Sequence, residues 1–575
     1  MKRKRTTTNS LQSSHSSQQQ QQEATALHLP DDCWESIFTF LVDGDDYNHH
    51  YIEPLSLASK HFFSITNHIR SSFTISDSTL PFIPTLFHRF PNLTSLHITT
   101  SQGDLNTLLC QISTFPFKLK SLKLSDHSTF PAEGLRALSR KITTLTSLTC
   151  SNIADLNHCV LISDCFPLLE ELHLQHNTIR TYFSQSIQMI ALPKLHKINL
   201  SGGVLDNINV GLLLLHLCKN CEFLEEVVIL NCQFLSQYSI ASSIRHRPTL
   251  RSLTFRWNYY GNIIGSHFID SLVSLKGLTC LDLWCIKISD ELLSSIATGD
   301  LPLRRLALQH CKGYSYIGVF SLLSKCQRIQ HLNLRHASFL YDHHIVKLSV
   351  FLADLVSIDL SQCRRLTVSA LFALVRKCPS LTNARMEQTS IGKIIKKYNS
   401  LINFVLNPEL KYLYLAHSSL LKDESLIMFA SILPNLQRLD LSNCDYISEE
   451  GICQVLRKCC KIRHLNLTNC NVVKLNILNF EVPKLEVLNL SYTRVGDEVL
   501  YTISKNCPGL LQFLLKGCNY VTKHGVKHVV ENCTQLREID LEYCHKVCAD
   551  IVDNMVHSRP SLRKIIIPPR YFLSD

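Results

Sequence analysis

The chain has 575 residues, 45% hydrophobic and 18% charged, with a formal net charge of +11. This composition can bury a core, yet the longest apolar runs, such as the one ending at Leu215, fall far short of the ~18 residues that a membrane-spanning helix needs. The basic excess is thinly spread, with no compact block in the folded part, which argues against nucleic-acid binding. A start that is basic and then polar, without an apolar signal core, predicts residence in the nucleus, the cytoplasm or both.

Residues 1–26 are low complexity: Lys2, Arg3, Lys4 and Arg5, then Thr and Ser, then a glutamine run at 18–22. With almost nothing apolar to bury, this segment is expected to be disordered. Its four basic residues read either as a nuclear-import signal or as chance composition. The composition then changes abruptly. Over 27–73, Leu29-Pro30-Asp31-Asp32 reads as a turn into a helix, with Asp near the positive end of the helix dipole. Trp34, Ile37, Phe38 and Leu41 form an apolar stripe at helical spacing. An acidic polar insert follows at 43–50, then a second stripe through Leu55, Leu57, Phe62, Phe63 and Ile65. A module of about 45 residues rarely has enough core to stand alone.

Residues 74–92 read as a connecting or capping segment, and 93–567 as a repeat array followed by a short tail at 568–575. The frame is clearest at 436–461. Leu436, Leu439 and Leu441 give L-x-x-L-x-L, Asn443-Cys444 follow, and Ile447, Ile452, Val455 and Leu456 then recur at helical spacing. The frame reopens at Ile462, and openings from Leu93 to Leu562 give about nineteen units of roughly 26 residues, within the leucine-rich-repeat range. The predicted fold class is therefore α/β: a horseshoe solenoid, with parallel strands on the concave face and helices on the convex face, preceded by a small all-helical module. Two units are stretched: the one opening at Leu250 carries Trp257, Tyr259, Tyr260, Gly261 and Gly265, and the one opening at Leu381 carries Lys393, Lys396 and Lys397.

The 24 cysteines and 27 histidines raise metal, redox and catalytic readings. Cys232, Cys311, Cys363, Cys444, Cys470, Cys518 and Cys544 share one repeat position; Cys221, Cys326, Cys378, Cys459, Cys507 and Cys533 share another. Positions fixed by repeat register point into the core, where Cys acts as a small hydrophobe, so a reduced protein is expected rather than a disulfide scaffold. The lone C-x-x-C of Cys218 and Cys221 lacks a second ligand pair, and no phosphate loop, nucleophile elbow or kinase signature is present. No catalytic residue, metal or cofactor is assigned.

Alternation along each strand turns one variable residue between two inward leucines toward the open face. Small or mixed residues such as Asp359, Asp440 and Asp540 occupy this position in many units. Across the middle they give way to Arg256, Trp257, Trp284, Arg305, His331 and Arg335, then Arg385, Tyr412 and Tyr414. These are candidate substrate-binding residues, because Trp, Tyr and Arg offer large area and charge-assisted bonds. The competing reading is that Trp257 and Trp284 cover a packing defect beside the irregular loop.

Leu29-Pro30-Asp31, Ile37-Phe38, Leu41 and Leu55-Ser56-Leu57-Ala58-Ser59-Lys60 with Phe62 resemble an F-box. Departures are Cys33-Trp34, where aliphatic residues are commoner, and the long insert. The repeats resemble the cysteine-containing leucine-rich class, and the combination is similar to plant F-box/leucine-rich-repeat proteins. The resemblance implies a Skp-type adaptor bound by Leu29, Pro30, Ile37, Phe38, Leu41, Leu55, Leu57, Lys60 and Phe62. Through that adaptor a cullin and a RING subunit would join, and an unknown protein substrate would sit on the repeats for ubiquitination. Catalysis would be proximity supplied by the assembly. Two alternatives remain: a small-molecule-sensing F-box receptor using Arg256, Arg305, Arg335 and Arg385, and a non-degradative scaffold.

Overall fold

The computed structural model describes residues 29–43 and 52–567 except 101–102, 126, 128, 154–155, 178–189, 191, 203–207, 233–234, 258–263, 394–405, 472–478 and 548–550. The stretch 1–26, the 44–50 part of the acidic insert, the 568–575 tail, Tyr259, Tyr260, Gly261, Lys396 and Lys397 lie outside these residues.

Three helices open the described chain: α1 (Asp31–Asp43), α2 (Ile52–Ala58) and α3 (Lys60–Ile69). Asp31 and Asp32 occupy the first turn of α1, where a carboxylate meets the positive end of the helix dipole. Ser59 caps α3, its Oγ accepting from the Phe62 amide at 3.0 Å. Phe38 of α1 is 2% exposed and meets Phe62 edge-on, 5.1 Å between ring centroids; Trp34 lies 4.8 Å from Phe62. This aromatic trio, with buried Ile65, is the small core of the module. Asp31 is bonded to His61 at 2.7 Å, tying α1 to α3.

The remainder is one parallel sheet of twenty strands among the described residues, each strand paired with its neighbours in chain order and most followed by a helix. It is a leucine-rich-repeat solenoid. The first strand, β1 (Ser72–Ile75), precedes the first opening read in the sequence and pairs in parallel with β2 (Ser95–Ile98). Phe73, placed at the close of the module by its composition, therefore belongs to the sheet. The following residues, read as a connecting or capping segment, supply the helix of the same unit, Ile83–Arg89. Ile75, Ile83, Phe87 and Phe90 enter the continuous core, which explains why a degenerate sequence still stacks. Arg89 joins the two parts, with Nε donating to Asn67 at 2.9 Å and the guanidinium over the Phe63 ring at 4.4 Å.

Three devices hold successive units in register. At the residue after the strand exit the backbone turns left-handed: Asn231, His310, His336, Gln362, Asn443 and Asn469 all have φ between 54° and 73°. Asn tolerates this region better than most residues, which accounts for the Asn of the Asn-Cys pair. At this position Asn469 Nδ2 donates to Asn443 Oδ1 at 2.8 Å, linking adjacent repeats at the rim. The Cys beside it donates Sγ–H to the strand-exit carbonyl of the preceding unit: Cys363 to Leu334 at 3.4 Å, Cys444 to Leu415 at 3.4 Å and Cys544 to Leu515 at 3.0 Å. Burial pushes these three thiols up to about 12. On the helix side, Asp423 accepts the Ser448 amide of the next unit at 2.8 Å, and Asp290, Asp342 and Asp497 serve Ser315, Thr367 and Thr522 alike. Gly451 lies so close to Asp423 that a Cβ there would collide with the carboxylate.

Candidate functional site

Two surfaces gather the residues singled out by sequence. The first is the helical module. Its short helices cannot cover all their apolar side chains, so Leu57 is 85% exposed, Phe40 81% and Ile37 42%. Leu29 and Phe63 are also exposed. Pro30 and Lys60 lie in solvent, and Leu55 and Phe62 are half-buried. Phe38 is a correction: it fills the interior and shapes the module rather than offering surface to an adaptor. Leu41 lies in α1, and its side chain is outside the described residues.

The second surface is the open face of the sheet. Parallel registers align side chains in rows running across the repeats. One row reads Arg305, His331, Ser357, Asn383, Tyr412, Arg438 and His464. Its neighbour reads Asn333, Asp359, Arg385, Tyr414, Asp440 and Asn466. At the strand exits Arg256 and Trp284 stand side by side, and the Arg256 guanidinium covers the indole. The Trp284 ring continues into His310 and His336, with centroids 6.2 Å and then 5.2 Å apart. The structure thus joins Arg256, Trp284, Arg305, His331, Arg335, Arg385, Tyr412 and Tyr414 in one band.

Trp257 does not join it. Its Nε1–H donates to the Cys232 carbonyl at 3.0 Å and its ring packs 5.0 Å from Phe255, against the core. The packing reading holds for this tryptophan.

The acids and bases of the band are used differently. Asp359 and Asp440 each turn one carboxylate oxygen onto the amide two residues ahead, Ser361 and Ser442, at 2.9 Å. Their other oxygens accept from Asn333 at 3.3 Å and Asn466 at 3.1 Å. Asn333, Asn466, Asn489 and Asp540 close the same turn, so this position is structural in the plain repeats. Glu387 pairs with Arg385 at 3.3 Å, and Arg385 lies 4.3 Å over the Tyr414 ring. Burial raises the Glu387 carboxyl, while Arg385 and Arg335 pull it down. Burial likewise raises Asp282, against the pull of Arg305 and Arg256. The imidazoles of His310, His331 and His464 are lowered, chiefly by burial and then by neighbouring cations, which favours their neutral form beside the arginines of the band.

Arg438 is a member of the band that sequence reasoning did not single out. Its signal was present: it occupies the same row as Arg305 and Tyr412, but in the most regular repeat, where nothing marks the unit as unusual.

Among the described residues no helix is long and apolar enough to cross a membrane, and no group of three or more His, Cys, Asp or Glu side chains is placed to hold a metal ion. Cys218 and Cys221 are both free and buried.

A leucine-rich-repeat family model matches residues 433–452, inside the most regular units. The DNA repair protein rhp7 of Schizosaccharomyces pombe is 20% identical over 305 residues, covering 46% of this chain and 53% of that protein. The F-box/LRR-repeat protein 4 of Bos taurus is 24% identical over 178 residues, covering 30% of this chain and 28% of that protein. The chain thus spans about half, or less, of the length of these curated relatives. Among solved structures, the mouse RP105/MD-1 complex is 17% identical and covers 81% of this chain and 90% of its own, with a TM-score of 0.46.

Proposed function

We propose that this chain is the substrate-recognition subunit of a Skp–cullin–F-box ubiquitin ligase. The helical module acts as the F-box that docks a Skp-type adaptor, and the band on the open face of the solenoid holds the protein to be ubiquitinated. The observation that carries this reading is the contrast between a solenoid that buries the leucines of its repeat frame and an attached module that leaves Ile37, Phe40 and Leu57 in solvent. An exposed apolar group of that kind on a small module calls for a protein partner. The distant likeness to an F-box/LRR-repeat protein supports the same reading. Solenoids of this class present extended concave surfaces, which suits a receptor. The chain itself would supply no nucleophile; it would raise the local concentration of substrate beside a ubiquitin-charged enzyme.

The test is a pull-down of purified Skp-type adaptor with the full chain and with Ile37→Asp/Leu57→Asp. Both side chains are exposed, so the module keeps its Phe38 core. Loss of adaptor from the variant supports the assignment, and full retention overturns it.

A further inference from the structure

We infer that the substrate segment held by the open face is extended and acidic, with two acidic clusters separated by about six residues. This rests on the receptor reading above and adds the chemistry of what is received.

The argument starts from an asymmetry in the band. Its carboxylates are satisfied from within: Asp359 and Asp440 by backbone amides and neighbouring asparagines, and Glu387 by Arg385. Its other arginines are held less closely: Asp282 attracts Arg256 and Arg305, and Glu387 attracts Arg335, each from beyond ion-pair distance. Arg256, Arg305, Arg335 and Arg438 make no ion pair among the described residues, whereas Arg385 does. Nε of Arg335 and Nε of Arg438 are buried without any hydrogen-bond partner. The Arg438 side chain reaches the His464 Nδ1 at 3.3 Å, an acceptor without charge once burial has lowered that imidazole. A buried guanidinium nitrogen with no acceptor has given up its water for nothing, which is unfavourable. A carboxylate from a partner is the acceptor that fits its fork.

Spacing sets the shape of the ligand. Arg305 opens the strand Arg305–Gln309, and Arg335 lies just past the exit of the adjacent strand, His331–Asn333. Arg438 opens the strand Arg438–Asp440, in the same row as Arg305 and five strands beyond it. At ~4.8 Å per strand that interval is about 24 Å, which an extended chain rising ~3.3 Å per residue crosses in about seven steps, leaving about six residues between the two contacts. Between the two positions lie Tyr412 and Tyr414, flat surfaces over which such a chain can run.

The experiment uses the full chain and a fluorescein-labelled peptide with two glutamates, a spacer of about six residues of Ser, Thr and Tyr, and two further glutamates. Controls replace glutamate by lysine or shorten the spacer to about two residues. Fluorescence anisotropy at low salt is expected to show binding at least about tenfold tighter for the long acidic peptide than for either control. Arg305→Gln/Arg438→Gln is expected to abolish that preference, and Lys123→Gln, on the same face near the other end of the sheet, to preserve it. Equal binding of the acidic and lysine peptides, or an unchanged double variant of unaltered melting temperature, overturns the acidic ligand. Equal binding of long and short spacers overturns the two-cluster geometry. Adaptor pull-down with the wild-type chain separates the readings: captured adaptor with no acidic preference sinks this inference alone, and lost capture with the preference intact sinks the receptor assignment alone.

Discussion

The helical module and the solenoid are built from the same material, amphipathic helices rich in Leu, Ile and Phe, yet they cover their apolar frames to different degrees. A helix inside the solenoid finds a sheet beneath it and a neighbouring helix on either side. The apolar frame of a plain repeat is therefore covered: Leu439, Leu441, Ile452 and Val455 are all buried. The module has three short helices and no sheet, so Phe38, Phe62 and Ile65 turn inward while Ile37, Phe40 and Leu57 remain outside. Burial of apolar surface is cooperative along a stack and limited in an isolated small unit. Exposure in the module thus reflects its size, and a partner can complete it.

Five substitutions probe that contrast. Phe38→Ala removes the centre of the module core and is expected to cost about 3–5 kcal/mol. Amide exchange should rise throughout α1 and α3 while the solenoid keeps its protection; equal protection in both would show that the module does not depend on this core. Leu439→Ala is expected to cost about 2–5 kcal/mol in the solenoid, seen as a lower thermal midpoint with no change in the module.

The buried thiols separate the two regions by pH. The usual thiol value of 9.0 is raised to about 12 at Cys363, Cys444 and Cys544. The native state holds these protons after the unfolded chain has released its own, so solenoid stability is full below about pH 9 and falls as pH rises toward about 12. The slope is about 1.4 kcal/mol per pH unit for each such thiol. Denaturant titrations from about pH 8 to about pH 11 should show this decline, and Cys444→Ala should make it shallower. The smallest effect belongs to the strand-exit turn. Asp440→Ala frees the Ser442 amide and is expected to cost about 1 kcal/mol, whereas Asp440→Asn, which keeps an acceptor, should cost less in the same melting experiment.

Much of the solenoid was legible because its signal is repeated: Leu439, Leu465 and Leu488 restate one frame, and the cysteines fall in step with it. Single positions were harder to read. Trp257 and Trp284 look alike in sequence, but one donates to the Cys232 carbonyl and packs on Phe255, while the other supports Arg256 on the open face. Phe38 and Ile37 are adjacent on one helix, and only the arrival of α3 decides which of them is covered. Asp440 reads as a variable surface residue, yet its carboxylate closes a turn.

The period, the parallel stacking and the inward place of the leucines and cysteines were written in the chain, because they follow from local alternation and helical spacing repeated many times. Which polar groups are already satisfied was settled by packing instead. That depends on distances between side chains one repeat apart, as in Asn466 reaching Asp440, and no local pattern encodes whether such a bond is made. The unpaired Arg335 and Arg438 nitrogens emerged at that level alone, because an unmet hydrogen bond is a property of everything that surrounds the atom.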